Sequence, residues 1–272
     1  MLTAGFRMRI ALLQYPVVWA DPQANVGLLD ERLAAIAGQA DIAVVPEMFS
    51  TGFCTDRPDL AEPWGGPTCQ ALQRMADEYD MAIMGSLTCR EQGDNIQSTK
   101  ELRNRGFLFA PHTEPRFIDK RHLYKHGGED AFFTPGNQRE VWEYRGVKIR
   151  LALCYDLRFP VWLRQDKQNM YDILVVAGCW PTARIRYWDT LLQARGAENH
   201  CYTVGVNLVG TDGLQIAYCG HSAAYDTWLN DLAGFADYEE GTRIVDLPME
   251  KLWHFREVLP QWQDGDEYSI ES

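Results

Sequence analysis

The segment "IRLALCYDLRFP", Ile149 to Pro160, decides how this chain is read. Its first five residues suit a buried β-strand. Cys154 follows, and the chain turns at once into Tyr155, Asp156, Leu157 and Arg158. A cysteine at a strand tip is either a small hydrophobe that fills the core or a thiol presented for attack.

The sequence on either side supports an α/β pattern. Upstream, "EVWEYRGVKIRLALC" predicts a hairpin turning at Arg145-Gly146. Downstream, "YDILVVAGCW" predicts another buried strand, and "YWDTLLQARGAENHC" a helix on which Trp188, Leu191, Leu192 and Arg195 recur at helical spacing. "YTVGVNLVG", "QIAYCGHSAAYD" and "TRIVDLP" add late strands. The first third reads the same way. "MRIALLQ" from Met8 is a strand, Val26, Leu29, Leu33 and Ile36 mark a helix, and "DIAVVPE" is a strand ending at Glu47. Leu72, Met75, Ala76 and Tyr79 mark a second helix, and "MAIMGSL" a further strand. "GFLFAP" and "PRFIDK" predict neighbouring strands, whereas residues 90–105, "REQGDNIQSTKELRNR", predict a polar loop at the mouth of a pocket. Strands alternating with helices define the α/β class.

Composition narrows the function. The 272 residues carry 38 acidic and 26 basic side chains, a formal charge of −12, which argues against nucleic acid and points to small molecules. Seven cysteines, scattered and without a CxxC, suggest neither a disulfide framework nor a zinc site and suit a reduced cytoplasm. No run approaches the length of a membrane span, and the N-terminus lacks the apolar core of a signal peptide. Met8 serves as well as Met1 for a natural start. No linker or repeat divides the chain, so one domain over 1–272 is expected, with a core of about 8–247 and a tail of 248–272.

Three titratable residues share one context. Glu47, Lys120 and Cys154 each lie just past a strand-forming run, and ligands bind at the carboxyl ends of strands in α/β sheets. Singly, each has a plain structural reading as a turn acid, a wet surface lysine and a core thiol. Together they form a set suited to attack on a carbonyl. Glu47 takes the thiol proton and returns it to a leaving amine, while Lys120 and the backbone N–H of Tyr155 face the oxyanion. The set needs no metal and no cofactor. Asp156 and Arg158 read as an ion pair bracing the turn.

"PEMFSTGF", "DKRHLY…GGEDAFFTPG" and "ALCYDLRFP" occur in an order and spacing that resembles the nitrilase (carbon–nitrogen hydrolase) superfamily. The likeness runs from Met8 to roughly Asp246. Within the superfamily, "GCWP…RIRYWDTLLQARGAEN…GVNLVGTDG" resembles the bacterial omega-amidase branch. The resemblance implies a four-layer αββα sandwich, a Glu47–Lys120–Cys154 triad, Glu129 as a supporting acid, a thioester intermediate and a homodimer or higher homo-oligomer. It implies a small ω-amide such as α-ketoglutaramate or α-ketosuccinamate as substrate, with water as co-substrate. Arg184 and Arg186 are then candidates for the substrate carboxylate, and Trp180, Tyr155 and Phe133 for the pocket wall. Other amides, N-carbamoyl amides and nitriles suit the same triad. Two further readings compete: a catalytically silent binding protein of this fold, and a serine hydrolase using Ser222 in "GHSAA", a near match to the nucleophile elbow.

Overall fold

A computed structural model describes residues 5–91, 102–167 and 169–270. The first half builds one sheet. Strand β1 (Arg7–Gln14) leads through helix α1 (Pro22–Ala35) to β2 (Ile42–Val44), a two-residue strand β3 (Glu62–Pro63), helix α2 (Pro67–Tyr79), β4 (Ala82–Arg90), β5 (Leu102–Phe109) and β6 (Arg116–Asp119). The second half continues with a short helix α3 (Glu129–Phe132), β7 (Trp142–Tyr144), β8 (Val147–Leu153), α4 (Pro160–Leu163), β9 (Ile173–Ala177), α5 (Ile185–Asn199) and β10 (Tyr202–Val206). A small ribbon of β11 (Val209–Thr211) and β12 (Ala217–Cys219) follows, then β13 (Ala223–Tyr225), β14 (Gly241–Pro248) and α6 (Met249–Val258).

The strands form two large sheets, ordered β14-β1-β2-β4-β5-β6 with β3 beside β4, and β13-β10-β9-β8-β7. Strands β1, β2 and β4 run parallel, as do β8, β9 and β10. Helices fill the crossovers, as parallel pairing requires.

Side-chain alternation explains the layering. Ile10 and Leu12 of β1 face the second sheet, while Ala11 and Leu13 face α1 and α2. In the second sheet Ile149, Leu151 and Leu153 enter the same inter-sheet core, while Ala152, Leu174 and Val176 meet Trp188 and Leu192 of α5. Both faces of each sheet are therefore apolar, which is why β1, β8 and β9 read as nearly continuous hydrophobic runs. The result is the four-layer αββα sandwich. Met249 and Leu252 of α6 close one end of the inter-sheet core.

The hairpin expected at Arg145-Gly146 is present between β7 and β8, with both turn residues at positive φ (48° and 76°), as a tight two-residue turn demands. One expectation is corrected. Residues 102–105 are not loop but the start of β5, paired residue for residue with β4 and buried at Asn104 and Arg105. Their charge misled because Arg105 is neutralised inside the sheet by Asp119 on β6 (Nε to Oδ1 2.7 Å). Arg90, at the other end of the expected loop, closes β4 opposite Leu102, and residues 92–101 lie outside the described residues.

All seven cysteines are free and buried. Burial pushes the thiols of Cys54, Cys89 and Cys201 up to about 12. An unfolded thiol titrates near about 8.5. Between those values the folded chain holds protons that the unfolded chain has lost, so stability falls as pH rises. In reducing buffer the urea midpoint should be flat from pH 7 to 8 and drop progressively above about pH 8.5, as read by circular dichroism.

Candidate active site

Two features of the sheet topology bring the three expected residues to one edge. Strand β6 is antiparallel to β5, which is antiparallel to β4, so β6 ends on the same side as β2 and β4. Glu47 follows β2, Lys120 follows β6 and Cys154 follows β8. The β5–β6 register sets Arg105 opposite Asp119 and thereby places Asn104 beside Lys120, whose N–H donates to the Asn104 carbonyl (2.9 Å).

Lys120 Nζ lies 2.7 Å from Glu47 Oε1 and 2.8 Å from Glu129 Oε2, and all three side chains have no solvent exposure. Asn104 Nδ2 donates to Glu47 Oε1 (2.7 Å) and Glu129 Oε1 (2.9 Å), and the Tyr124 N–H donates to Glu129 Oε2 (2.6 Å). Glu129 is thus fully engaged in fixing the lysine. Glu47 Oε2, by contrast, makes no standard hydrogen bond. Glu47 and the Cys154 thiol each shift the other's titration, so the two stand close enough to interact electrostatically.

Burial and the neighbouring charges shift all three groups. Burial pushes the Glu47 carboxyl up, opposed by Lys120 and reinforced by Glu129. Burial alone would lower the Lys120 ammonium, but Glu129 and Glu47 hold it well above the ordinary lysine value. Burial and then Glu47 push the Cys154 thiol well above its usual value. At neutral pH this leaves Lys120 an ammonium and Cys154 a protonated thiol. Attack by sulfur therefore requires a base at the moment of bond formation.

Cys154 sits at φ 42°, in the left-handed region that a β-carbon disfavours, at the head of a 3₁₀ turn Cys154–Arg158. The strain is held by neighbours. Asp156 accepts from the N–H groups of His122 (2.9 Å) and Leu153 (3.3 Å) and meets His122 Nδ1 at 2.8 Å. The His122 ring stacks on Phe159 at 3.6 Å. Arg195 of α5 donates from Nη2 (2.7 Å) and Nε (3.1 Å) to the Leu157 carbonyl. This corrects the expected Asp156–Arg158 ion pair. Asp156 does brace the turn, but through His122, and the Arg158 guanidinium lies over the rings of Tyr187, Trp180 and Tyr155.

Sequence reasoning passed over a second support. The Cys179 backbone, just past β9, opposes the rise of the Cys154 thiol, and the Cys179 thiol donates to the Glu47 carbonyl (3.3 Å). Buried Asn207 clamps both main-chain groups of the next residue: its Oδ1 accepts the Trp180 N–H (2.7 Å) and its Nδ2 donates to the Trp180 carbonyl (2.9 Å). An asparagine directly after the buried run "YTVGV" was the available signal. Ser222 belongs to this network and not to catalysis. Its hydroxyl accepts the Asn207 N–H (2.9 Å) and donates to the Asn207 carbonyl, and its N–H donates to Gln14 (2.8 Å).

The remaining wall candidates divide. Trp180 is buried in the same cluster as Cys154 and donates through Nε1 to the Arg184 carbonyl (2.8 Å). Tyr155 packs edge-on against Tyr124 and Phe159. Arg184 lies over the Tyr124 ring (5.5 Å). Arg186 is exposed on α5, and Phe133 is buried with Met48 and Leu102 in a small core against which Phe53 packs. Phe53, unforeseen, places its ring 5.5 Å from Lys120 Nζ and, with Cys179, Leu208 and Tyr218, lines an apolar recess. Among the described residues no cluster of three His, Cys, Asp or Glu side chains is arranged to hold a metal ion.

A strained thiol at a strand tip, a buried ammonium and a carboxylate within reach of the sulfur define a thiol-dependent hydrolase site. The chain belongs to the carbon-nitrogen hydrolase family, whose model matches residues 9–257. It is 36% identical over 97% of its length to the omega-amidase YafV of Escherichia coli (strain K12), covering 98% of that protein. It is 26% identical to the 2-oxoglutaramate amidase of Bacillus subtilis (strain 168), over 94% of this chain and 96% of the relative. Among solved structures, XC1258 from Xanthomonas campestris, a CN-hydrolase superfamily protein with an arsenic adduct in the active site, superposes with a TM-score of 0.91 at 32% identity. That match covers 98% of this chain and 100% of the other. A mutant of the amidase from Nesterenkonia sp. AN1, seen after Michael addition of acrylamide at the active site cysteine, matches with a TM-score of 0.78 at 25% identity, covering 93% of this chain and 98% of the other.

After burial, and against Lys120, Glu129 adds negative charge beside Glu47 and so raises its pKa. Replacing Glu129 by Gln should therefore move the acidic limb of the pH profile for amide hydrolysis to lower pH. It should also cut kcat/KM on the order of 10²-fold through loss of alignment. Steady-state ammonia release from pH 4 to 9 reads both effects.

Proposed function

We propose that this chain is a cysteine-dependent amidase that converts small ω-amides of dicarboxylic keto acids, such as α-ketoglutaramate or α-ketosuccinamate, to the carboxylate and ammonia. The observation that carries the chemistry is the fully buried Lys120–Glu47–Glu129 cluster, whose Glu47 and Lys120 both act electrostatically on the Cys154 thiol. The substrate class is supported by relatives called omega-amidase and 2-oxoglutaramate amidase.

In this reading Glu47, with one oxygen tied to Lys120 and Asn104 and the other free, takes the Cys154 proton as sulfur bonds to the amide carbon. Negative charge gathers on the amide oxygen. Lys120 and the Tyr155 N–H face that oxygen, and the Cys179 N–H steadies the sulfur. Glu47 hands its proton to the departing nitrogen, ammonia leaves, and a thioester remains on Cys154. Water, deprotonated by the same carboxylate, breaks the thioester and restores the thiol. Glu129 holds the lysine and touches no substrate atom. One domain over 1–272 is part of this reading, with α6 packed on its core. So is a homo-oligomer acting in the cytoplasm. Among the described residues no helix is long and apolar enough to cross a membrane.

An ammonia-release screen of short amides, nitriles and N-carbamoyl compounds tests this directly. Wild type should favour ω-amides, and Cys154→Ala should lose at least about 10³-fold in kcat with unchanged far-ultraviolet circular dichroism. A purified Cys154→Ala protein that turns over at the wild-type rate would sink the mechanism.

A further inference from the structure

A second thiol reaches the same sheet edge as Cys154. Strand β9 runs parallel to β8, with Leu153 paired to Ala177. Cys154 stands one residue past that pair and Cys179 two residues past it. Neighbouring strands lie about 4.8 Å apart and rise about 3.3 Å per residue. A stagger of one residue therefore sets the two Cα atoms about 6 Å apart, inside the roughly 4.4–6.8 Å span that a disulfide bridges.

Both thiols converge on Glu47. The Cys179 thiol donates to the Glu47 main-chain carbonyl at 3.3 Å, while the Cys154 thiol and the Glu47 carboxyl act on each other electrostatically. Burial, then Glu47 and Cys154, push the Cys179 thiol well above its usual value, so the two thiols also sense each other. The buried Oε2 of Glu47 has no hydrogen-bond partner and is open to a proton. Access singles out the same pair. Cys154 and Cys179 keep 9% and 7% of their surface, whereas Cys54, Cys69, Cys89, Cys201 and Cys219 keep 4% or less. Cys179 also lines the apolar recess with Phe53, Leu208 and Tyr218, a way in for a small neutral molecule.

We propose that Cys154 and Cys179 form a dithiol pair that a small peroxide converts to a disulfide, taking the nucleophile out of use reversibly. This needs the two sulfurs and Glu47 but no particular amide. Glu47 takes the Cys154 proton as that sulfur bonds to one peroxide oxygen. The O–O bond breaks, the departing hydroxide takes the proton from Glu47, and one water leaves. Cys154 is now a sulfenic acid. The Cys179 sulfur attacks the Cys154 sulfur, the S–O bond breaks, and the departing hydroxide carries off the Cys179 proton as a second water. Two thiols have together given two electrons to one peroxide. A sulfenic acid without a thiol beside it is open to further oxidation to sulfinic and sulfonic acids, which thiol reductants do not reverse.

The test treats reductant-free wild type and Cys179→Ser with equimolar hydrogen peroxide. The intact mass of wild type should fall by two hydrogens, and peptide mapping without reduction should join the Cys154 peptide to the Cys179 peptide. Ammonia release from a short amide should drop at least about tenfold, and dithiothreitol should return most of it. Cys179→Ser should instead gain two or three oxygens on Cys154, and dithiothreitol should return less than about a tenth of its own starting rate. The mapped link in wild type decides the case even where the Cys179 variant folds poorly. Wild type that adds oxygen to Cys154 while Cys179 stays a free thiol, or that links another pair such as Cys69 and Cys89, would overturn the proposal and leave the amidase reading standing. So would a Cys179→Ser protein that dithiothreitol restores as fully as wild type.

Discussion

A lysine ammonium sealed from water between two glutamates is the constraint on which the rest of this structure depends. Moving an ion into a protein interior costs several kcal/mol, and only near-ideal pairing offsets it. Lys120 meets that condition with both Glu47 and Glu129 within 2.8 Å, and Asn104 bonds both carboxylates. The three charged groups come from three separate elements: the loop after β2, the end of β6 and the first turn of α3. The cluster forms only when the first sheet is in register and the 120–129 segment is folded over its edge. It also sets two acids against a single amine, and one of them, Glu47, acts on the thiol.

The second sheet answers this arrangement with a strained cysteine. A positive φ at Cys154 costs free energy of order 1–3 kcal/mol and persists only where surroundings over-determine it. Here Asp156 with His122, Arg195 on the Leu157 carbonyl, and the Cys179 peptide held in line by Asn207 supply that over-determination. The sandwich presses the two sheets together so that Glu47 and Lys120 from one and Cys154 from the other share one edge. Neither sheet alone contains the whole Glu47–Lys120–Cys154 set.

Much of this was legible in the sequence. Strands such as "MRIALLQ" and "IRLALC" announce themselves because both faces are apolar, and the Arg145-Gly146 turn because of its hairpin context. Glu47, Lys120 and Cys154 could be singled out because each directly follows such a run. What the sequence hid depends on partners far along the chain. Arg103 to Arg105 look like loop until Asp119 is seen across the ladder. Asp156 invites pairing with its near neighbour Arg158, whereas its partner is His122, 34 residues away. Asn104 and Asn207 carry no local signal strong enough to separate a network hub from an ordinary polar residue. Phe133 illustrates the reverse: an aromatic in a motif-rich segment whose destination is a satellite core.

Whether Cys154 carries the acyl group decides the mechanism. Rapid acid quenching of wild type with an ω-amide during the first turnovers, followed by intact mass and peptide mapping, observes this directly. The expected result is a mass gain equal to the acyl group, confined to the peptide containing Cys154, and removed by hydroxylamine as a thioester is. Ammonia release in the same samples with Cys154 unmodified throughout, or with the acyl group on Ser222, would contradict it.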